Sequence, residues 1–281
     1  MATYVKPSIL KSIYRPRKRD AHKYDYGHLL VIGGSKLYHG SPLFSALAAY
    51  RSGVDLVTIA APRRVADIIA GYAPDLITYP LEGDYISTRH LNYIYELTKN
   101  KTAVVIGGGL GRDPGTMDAV SRYLEEITLP CVVDADAIHA LTKLRSLKSS
   151  FVITPHSNEF LSASGISVDG MGMKEKIKAV ESFAKPSGAT ILLKGNVDVI
   201  SDGTHTALNR TGNPFMTKGG TGDILAGICG SLLAQGIGNF TAACASAFIN
   251  GKAGDIVARK RKQSMMASEL VDSICNAIGC E

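Results

Sequence analysis

Long apolar segments are missing from this sequence of 281 residues. No apolar run approaches the ~18 residues that a membrane-spanning helix requires, and the first seven residues carry no apolar signal core. The five cysteines have neither zinc-ligand nor redox spacing, and most of them lie in apolar segments. We therefore expect a cytoplasmic protein with no membrane partner and with reduced thiols at Cys131, Cys229, Cys244, Cys275 and Cys280.

Several catalytic motifs are also absent. The chain has no G-x-x-x-x-G-K-[ST] loop, which excludes a P-loop enzyme. The glycine-rich residues 107–112 lack the third glycine of the G-x-G-x-x-G fingerprint, which argues against a Rossmann dinucleotide site. Neither H-E-x-x-H nor G-x-S-x-G occurs, so nothing indicates a zinc protease or a serine hydrolase. What remains is phosphate binding by a glycine-rich loop that has no Walker lysine.

The formal net charge of +6 has two local sources, the basic runs at residues 15–19 and 259–262. Neither run carries the interleaved aromatic residues of a nucleic-acid stacking platform. We interpret both runs as solvated surface that also steers polyanionic small molecules toward the protein. We accordingly expect no nucleic-acid partner.

Short apolar strands and longer apolar helices alternate along the chain. The strands are predicted at residues 28–32, 56–60, 76–79, 103–106, 131–133, 151–153 and 190–193, with a hairpin at 197–209. The helices are predicted at residues 40–53, 87–99, 113–127, 173–184, 222–234, 241–258 and 267–278, and one more begins near residue 61. This alternation predicts an α/β fold with a mostly parallel sheet and helices on both faces. No linker or internal repeat interrupts it, so residues 1–281 are predicted to form a single domain.

Glycine-rich or polar residues follow most of the predicted strands. In open α/β sheets, ligands bind beyond the carboxyl ends of the strands. Segments from five strand ends should therefore meet at one edge of the sheet and form the binding site there. These segments are residues 33–35, 107–111, 134–136, His156 and 194–195.

One glycine-rich stretch, residues 212–227, leads directly into an apolar helix. Large apolar side chains recur there at helical spacing, whereas Gly227 and Gly230 leave the opposite face small enough for another backbone to approach. The first amides of such a helix have no partner within it, and glycines let phosphate oxygens reach the backbone. The stretch therefore predicts a phosphate site.

Asp223 lies in the first turn of this helix. One interpretation is that it is a helix-start residue, a position that Asp favours for its hydrogen bonds. The other is that it is a general base, ionised at neutral pH because the helix terminus favours the carboxylate. It would then accept a proton from a hydroxyl that attacks the terminal phosphate of a nucleotide. The two interpretations are compatible.

The motif Gly219-Gly220-Thr221-Gly222-Asp223 resembles the anion-hole motif of ribokinase-like kinases. The longer run 212–236 resembles the ADP- or ATP-dependent NAD(P)H-hydrate dehydratases, which are repair enzymes built on that kinase fold. Further matches follow in family order at residues 22–35, Gly40, 48–53, 107–113, 134–137, 154–160, 194–195, 251–255 and 267–270. The resemblance implies a ribokinase-like three-layer sandwich.

The same resemblance implies the substrates and the roles of residues. The substrates would be NADHX or NADPHX with ADP or ATP as phosphoryl donor, leaning to ADP, and Mg²⁺ would assist. Asp223 would be the general base. The nucleotide would contact Lys194, Gly195, Asn196, Val197, Asp198, Asn213, Gly220, Thr221 and Gly222. The hydrated dinucleotide would contact Ser41, Gly109, His156 and Asp223.

Blander interpretations stay open for some of these residues. The alternative for Lys194 is an exposed lysine at a strand end, for Gly109 a turn glycine, and for His156 a loop histidine satisfied by backbone. Asp136 and Glu159 are candidate magnesium ligands, and the sequence does not decide whether either of them binds the ion.

The sequence also departs from the family pattern. Phe215 and Ser41 replace usual small residues, and Gly108 replaces a usual proline. Lys218 replaces Ser, Thr or Ala, which would place a cation beside the phosphates. The epimerase domain that often precedes this one is expected to be missing, so a separate epimerase would serve the pathway.

The resemblance further implies a homotetramer. Two rival functions stay open. One is a small-molecule kinase of the same fold, of the vitamin-precursor type, and the other is a nucleotide- or RNA-binding module without catalysis. The kinase shares Gly222 and Asp223 but leaves residues 212–214 and 107–111 unexplained.

Overall fold

The computed structural model describes residues 2–279, so the expectation for the Cys280 thiol lies outside the described residues. Its strands are β1 (Thr3–Tyr4), β2 (His28–Ile32), β3 (Leu56–Pro62), β4 (Ile77–Leu81), β5 (Ala103–Ile106), β6 (Cys131–Val133), β7 (Phe151–Ile153), β8 (Thr190–Leu193), β9 (Asp198–Ser201) and β10 (Thr206–Asn209). Its helices are α1 (Ile9–Ile13), α2 (Gly40–Arg51), α3 (Arg63–Ala70), α4 (Leu91–Thr98), α5 (Pro114–Glu126), α6 (Ser157–Ser164), α7 (Met173–Ala184), α8 (Thr221–Ala234), α9 (Asn239–Arg261), α10 (Ala267–Asp272) and α11 (Ile274–Ile278). Short 3₁₀ segments occupy Thr88–His90, Ala135–Lys143, Pro214–Met216 and Lys262–Ser264.

The ten strands form one sheet in the order β1-β10-β9-β8-β7-β6-β5-β2-β3-β4. The seven strands from β8 to β4 pair in parallel, whereas β9 runs antiparallel to both of its neighbours. The parallel strands therefore end at one edge, where the segments that follow β2, β5, β6, β7 and β8 meet. This confirms the predicted α/β fold with a mostly parallel sheet.

Helices cover both faces of the sheet because successive strand residues point to opposite sides. In β2, Leu29 and Val31 join a core formed with α2, α3, α8, α9, α10 and α11. Leu30 and Ile32 join a second core formed with α4, α5, α6 and α7. The result is the predicted three-layer sandwich. Because both faces of such a strand are covered, its sequence is a continuous run of apolar residues.

Some elements differ from the sequence prediction. The predicted helix at residues 267–278 is divided at Ser273 into α10 and α11, and α9 extends beyond both predicted ends. β1 is only two residues long and exists because it pairs with β10, so no local pattern marks it. α6 was also missed. A histidine rather than a usual capping residue starts it, although Glu159 three residues later is a capping signal.

Packing of α8 against α2 depends on a glycine. A methyl group at Gly227 would lie 2.2 Å from the Ser45 carbonyl oxygen and 2.7 Å from Ser45 Cα, so no other residue fits there. The Ser45 hydroxyl in turn donates a hydrogen bond of 3.0 Å to the carbonyl oxygen of Asp223. This contact fixes the start of α8 relative to α2, as the small residues of the sequence predicted.

The chemical state of the thiols agrees with the sequence. Cys131, Cys229 and Cys244 are buried and free, Cys275 is partly exposed and free, and burial raises the pKa of the Cys229 and Cys244 thiols to about 12. Across residues 2–279, every helix is too short or too polar to cross a membrane.

Gly227→Ala should lower the free energy of unfolding by about 1–3 kcal/mol, because the added methyl group overlaps backbone that cannot move aside. Urea denaturation followed by circular dichroism measures the change. Gly238→Ala is the matched control, since no atom lies within 4 Å of the added methyl group. Equal stability of the two variants would contradict the packing described for α2 and α8.

Candidate active site

The start of α8 offers free backbone donors. Gly220 precedes the helix with φ +98°, a left-handed conformation that glycine adopts without strain, and Ile224 N–H is the first to donate back to it. Within residues 2–279, the amides of Gly222 and Asp223 donate to no other protein group. Unpaired amides at a helix start attract anions, and the helix dipole adds to the effect.

The Asp223 side chain lies against the loop that follows β5. A methyl group at Gly108 would lie 2.6 Å from Asp223 Oδ1 and 3.0 Å from Ser41 Cβ, and one at Gly109 would lie 3.3 Å from Ser41 Oγ. The Ser41 hydroxyl donates a hydrogen bond to the Asp223 carboxylate. The structure thus brings together three of the residues predicted for the dinucleotide, Ser41, Gly109 and Asp223.

The charge state of Asp223 differs from the sequence expectation. Burial raises its pKa to about 7, and the carboxylate of Asp134 adds to the rise. The Ser41 hydroxyl and the Lys194 ammonium group act in the opposite direction. Near pH 7 the carboxyl group is therefore divided between its two forms. Full ionisation was expected from the helix terminus, and that expectation is wrong because burial outweighs the terminus.

A buried ion cluster lies beside Asp223. Lys194 Nζ is 3.0 Å from Asp134 Oδ1 and 3.7 Å from Glu159 Oε2, and the Thr154 hydroxyl donates to Asp134 Oδ1 at 2.7 Å. The Asp134 side chain is only 3% exposed. Burial alone favours a neutral amine, but the two carboxylates outweigh it and raise the pKa of Lys194. Lys194 is therefore a half-buried, paired cation rather than an exposed lysine at a strand end.

A cavity of about 780 Å³ opens next to this cluster and ends at the first turn of α8. Seven of the nine residues predicted for the nucleotide line it, namely Lys194, Gly195, Asn196, Asp198, Asn213, Thr221 and Gly222. His156 contributes to the wall, and Ala247, Asn250 and Gly251 of α9, which the sequence did not single out as site residues, form its back. A cavity of this size accommodates a nucleotide.

His156 caps the first turn of α6. Its Nδ1 accepts hydrogen bonds from the amides of Asn158 and Glu159 at 3.1 and 3.3 Å, and its Nε2 is 3.3 Å from Glu159 Oε1. The bland interpretation, a histidine satisfied by backbone, is therefore correct for Nδ1. The side chain is nevertheless 52% exposed and contributes to the cavity wall, so the imidazole ring can contact a ligand there.

One predicted placement needs correction. The Val197 side chain packs against the core on the α7 side, because the 194–198 loop turns back there into β9. Lys218 lines the cavity, and its Nζ donates to the Gln263 carbonyl at 2.8 Å, in the 3₁₀ turn Lys262–Ser264 that follows α9.

Whether the site can hold a metal ion depends on its carboxylate groups. Among the described residues, no group of three or more His, Cys, Asp or Glu side chains can hold a metal ion by itself. Asp136 is engaged by the Gly111 amide at 2.9 Å and by Arg112 Nε at 3.1 Å. Asp134 and Glu159 instead face one cation, Lys194, and hard carboxylate oxygens of this kind suit Mg²⁺ when phosphates and water complete its shell.

Solved structures with the same architecture define the class of this fold. A ribokinase-like superfamily protein of Enterococcus faecalis superposes with a TM-score of 0.84 over 99% of this chain and 95% of that one, at 21% identity. An ADP/ATP-dependent NAD(P)H-hydrate dehydratase of Bacillus subtilis, co-crystallised with ATP/Mg²⁺, has a TM-score of 0.84, with 98% and 97% coverage and 24% identity. The fold is ribokinase-like.

The chain belongs to the NAD(P)H-hydrate dehydratase family, whose model matches residues 29–276. The ADP-dependent (S)-NAD(P)H-hydrate dehydratase of Nitrosopumilus maritimus is 34% identical over 269 residues, covering 95% of this chain and 93% of that protein. The bifunctional NAD(P)H-hydrate repair enzyme Nnr of Pyrobaculum aerophilum is 39% identical over 93% of this chain. The chain spans about half the length of such bifunctional relatives, 52% in that case.

Asp223→Asn should stabilise the protein increasingly as the pH rises. The pKa of Asp223 is about 7 in the folded state against an ordinary 3.8, so ionisation costs stability between those values. The variant's advantage should grow from pH 5 to about 2–4 kcal/mol at pH 8. Urea denaturation at several pH values measures it, with Asp272→Asn, 74% exposed, as control. A pH-independent difference would contradict the burial of this charge.

Proposed function

We propose that this chain dehydrates (S)-NAD(P)H hydrate to NAD(P)H at the expense of a nucleotide, giving AMP from ADP or ADP from ATP. The observation that carries the proposal is the half-buried Asp223 carboxyl group beside the free amides of α8, at the end of a nucleotide-sized cavity. Membership of the dehydratase family supports the same activity.

The chemistry begins with a poor leaving group, the hydroxyl on the reduced nicotinamide ring. Its oxygen attacks the terminal phosphorus of the nucleotide, a phosphorus–oxygen bond forms, and the bond to the rest of the nucleotide breaks. The hydroxyl proton passes to the ionised Asp223. The ring nitrogen then expels phosphate, and loss of a proton from the adjacent carbon restores the conjugated ring. One nucleotide phosphate is consumed and one molecule of water is formally removed.

Residues at the start of α8 would serve the transfer. Asp223 would be the general base, and its pKa of about 7 suits a base that works near neutral pH. The free amides of Gly222 and Asp223, with Gly220 and Thr221 beside them, would bind the transferring phosphate, because donors fixed in place stabilise developing charge without reorganisation. Ser41 would hold the Asp223 carboxylate toward the ring hydroxyl, and Gly109 and His156 would contact the dinucleotide.

The other cavity residues would bind the nucleotide itself. Lys194, Gly195, Asn196, Asp198 and Asn213 line the cavity, whereas Val197, which was also predicted to contact the nucleotide, packs its side chain against the core. Lys194 is positioned to contact a polyphosphate, because its ammonium group lies near the first turn of α8. A methyl group added at Gly222 would lie 3.6 Å from Lys194 Nζ. Asp134 and Glu159 would hold Mg²⁺ with phosphates and water, and the ion would neutralise phosphate charge.

The rival functions fit the observations less well. A small-molecule kinase of this fold would share Gly222 and Asp223, but the family match favours dehydration. An RNA-binding module would use the basic runs. In the structure, Arg17 pairs with Asp55 at 2.8 Å and Arg261 with Glu269 at 2.5 Å, so these runs are partly neutralised.

We also propose that residues 1–281 form one domain that acts in the cytoplasm as a homotetramer. The continuous ten-stranded sheet supports the single domain. Exposed aromatic side chains at Tyr38, Tyr72 and Tyr93 supply apolar surface for subunit contacts. An epimerase is proposed as a partner in the same pathway, and it would act on the other epimer of the hydrate.

The protein incubated with hydrated NADH, magnesium and ADP should restore the absorbance of the reduced nicotinamide near ~340 nm, because the ring is regenerated. A parallel reaction with ATP compares the two phosphoryl donors. Reactions without nucleotide are the control. No recovery with either nucleotide would overturn the proposed activity.

Asp223→Asn should lower turnover by about 10²–10⁴, because the variant has no group to accept the hydroxyl proton. Nucleotide affinity should be retained, as measured by calorimetry with ADP. Asp272→Asn, the same change on the surface of α10, should leave both quantities unaltered. Near-normal turnover in Asp223→Asn would refute the role of this residue as the base.

A further inference from the structure

One face of α9 supports a wall of the nucleotide cavity. Residues 211–216 form that wall, and Thr211, Gly212, Asn213 and Met216 line the cavity. A methyl group at Gly251 of α9 would lie 2.3 Å from Thr211 Oγ1 and 2.5 Å from the Thr211 carbonyl carbon. The helix and the wall therefore touch backbone to backbone, and the position of one determines the position of the other.

Asp255, one turn along the same face of α9, bonds to two residues of this wall. Its Oδ1 accepts a hydrogen bond of 3.0 Å from Asn213 Nδ2, and its Oδ2 accepts one of 3.2 Å from the Gly212 amide. Asn213 Oδ1 then accepts from the Phe215 amide at 3.1 Å. Both polar atoms of the Asn213 side chain are thereby fixed, although Asp255 itself does not line the cavity.

The two ends of this wall are anchored elsewhere, since the Thr211 hydroxyl donates to the Phe248 carbonyl at 3.1 Å and the Met216 carbonyl accepts from the Thr221 hydroxyl at 3.0 Å. Between these ends, Asp255 is the residue outside the wall, within the part of the chain that the structure describes, to which Gly212 and Asn213 donate hydrogen bonds. Hydrogen bonds to a carboxylate are roughly twice as strong as neutral ones, so Asp255 supplies the strongest contacts between Gly212, Asn213 and the rest of the protein. A change that weakens them moves Gly212 and Asn213, neither of which bonds to Asp223, while the Met216 end of the wall keeps its hydrogen bond with Thr221.

We propose that Asp255 is a positioning residue for nucleotide binding, which acts through Gly212 and Asn213 on the rigid support of Gly251. This inference rests on the proposed function, because it takes the cavity as the nucleotide site. It predicts that a change at Asp255 affects the binding of one substrate and not that of the other. Affinity for the nucleotide depends on Asp255, whereas turnover and the KM for the hydrated dinucleotide do not.

Asp255→Asn tests the proposal, because the amide keeps the shape but presents its own N–H groups to one of the two donors. The Kd for ADP and the KM for ADP should rise about tenfold, while kcat and the KM for hydrated NADH should stay within about twofold. Calorimetry and steady-state kinetics measure these quantities. Asp272→Asn is the matched control, with an unchanged Kd for ADP.

A double-mutant cycle distinguishes positioning from a general loss of stability. In the Asn213→Ala background, Asp255→Asn should weaken ADP binding by less than about threefold, because its main partner is already gone. Full additivity of the two changes would overturn the proposal. If Asp255→Asn does not fold, Gly251→Ala replaces it, since its methyl group displaces Thr211. An unaltered Kd for ADP in that variant would overturn the proposal equally.

The two proposals fail in different ways. Wild-type protein that binds ADP but never regenerates NADH would refute the dehydratase activity, and the binding comparison would still decide the role of Asp255. Wild-type protein that regenerates NADH, together with an Asp255→Asn variant of normal ADP affinity, would refute only the role of Asp255.

Discussion

Burial of the Asp223 carboxyl group at an amide-rich helix start is the constraint on which the rest of the site depends. A half-buried carboxylate is costly to ionise, and free amides nearby attract anions. Both are maintained because Gly227 lets α8 pack directly against the backbone of α2, which brings Ser41 and Ser45 to the first turn. The same packing places the Gly108 loop against Asp223. The position of α8 therefore determines how substrate reaches Asp223, how basic its carboxyl group is and where phosphate binds.

Charge balance explains why the site needs Lys194. Asp134, Glu159 and Asp223 bring three carboxyl groups to the ends of the strands, and a nucleotide would add further negative charge. Lys194 is the cation between them, held at 3.0 Å from Asp134 Oδ1. Its ammonium group stabilises Asp134 and Glu159 directly and reduces the pKa shift of Asp223. The cluster keeps the base partly protonated near neutral pH, and this state costs less than a fully ionised carboxylate at such depth.

Local patterns were sufficient for most of the fold. The apolar runs of β2, β5, β6, β7 and β8 predicted those strands at their observed bounds, and the strand ends predicted which edge carries the site. Contacts between distant residues could not be predicted. The Lys194–Asp134 pair spans 60 residues, the Lys218–Gln263 contact 45, and the Asp255–Asn213 bond 42. The ionisation of Asp223 was mispredicted for the same reason, since burial is a property of the assembled fold. The single-domain assignment and the roles of the site residues remain predictions.

The most direct test of the central claim is a crystal structure of the protein with a non-hydrolysable ADP analogue and hydrated NADH. The account predicts that the terminal phosphate accepts hydrogen bonds from the amides at the start of α8, those of Gly222 and Asp223 among them. It also predicts that the ring hydroxyl lies within hydrogen-bond distance of Asp223, between this residue and the phosphate. A nucleotide whose phosphates point away from α8, or a ring hydroxyl that faces solvent, would contradict it.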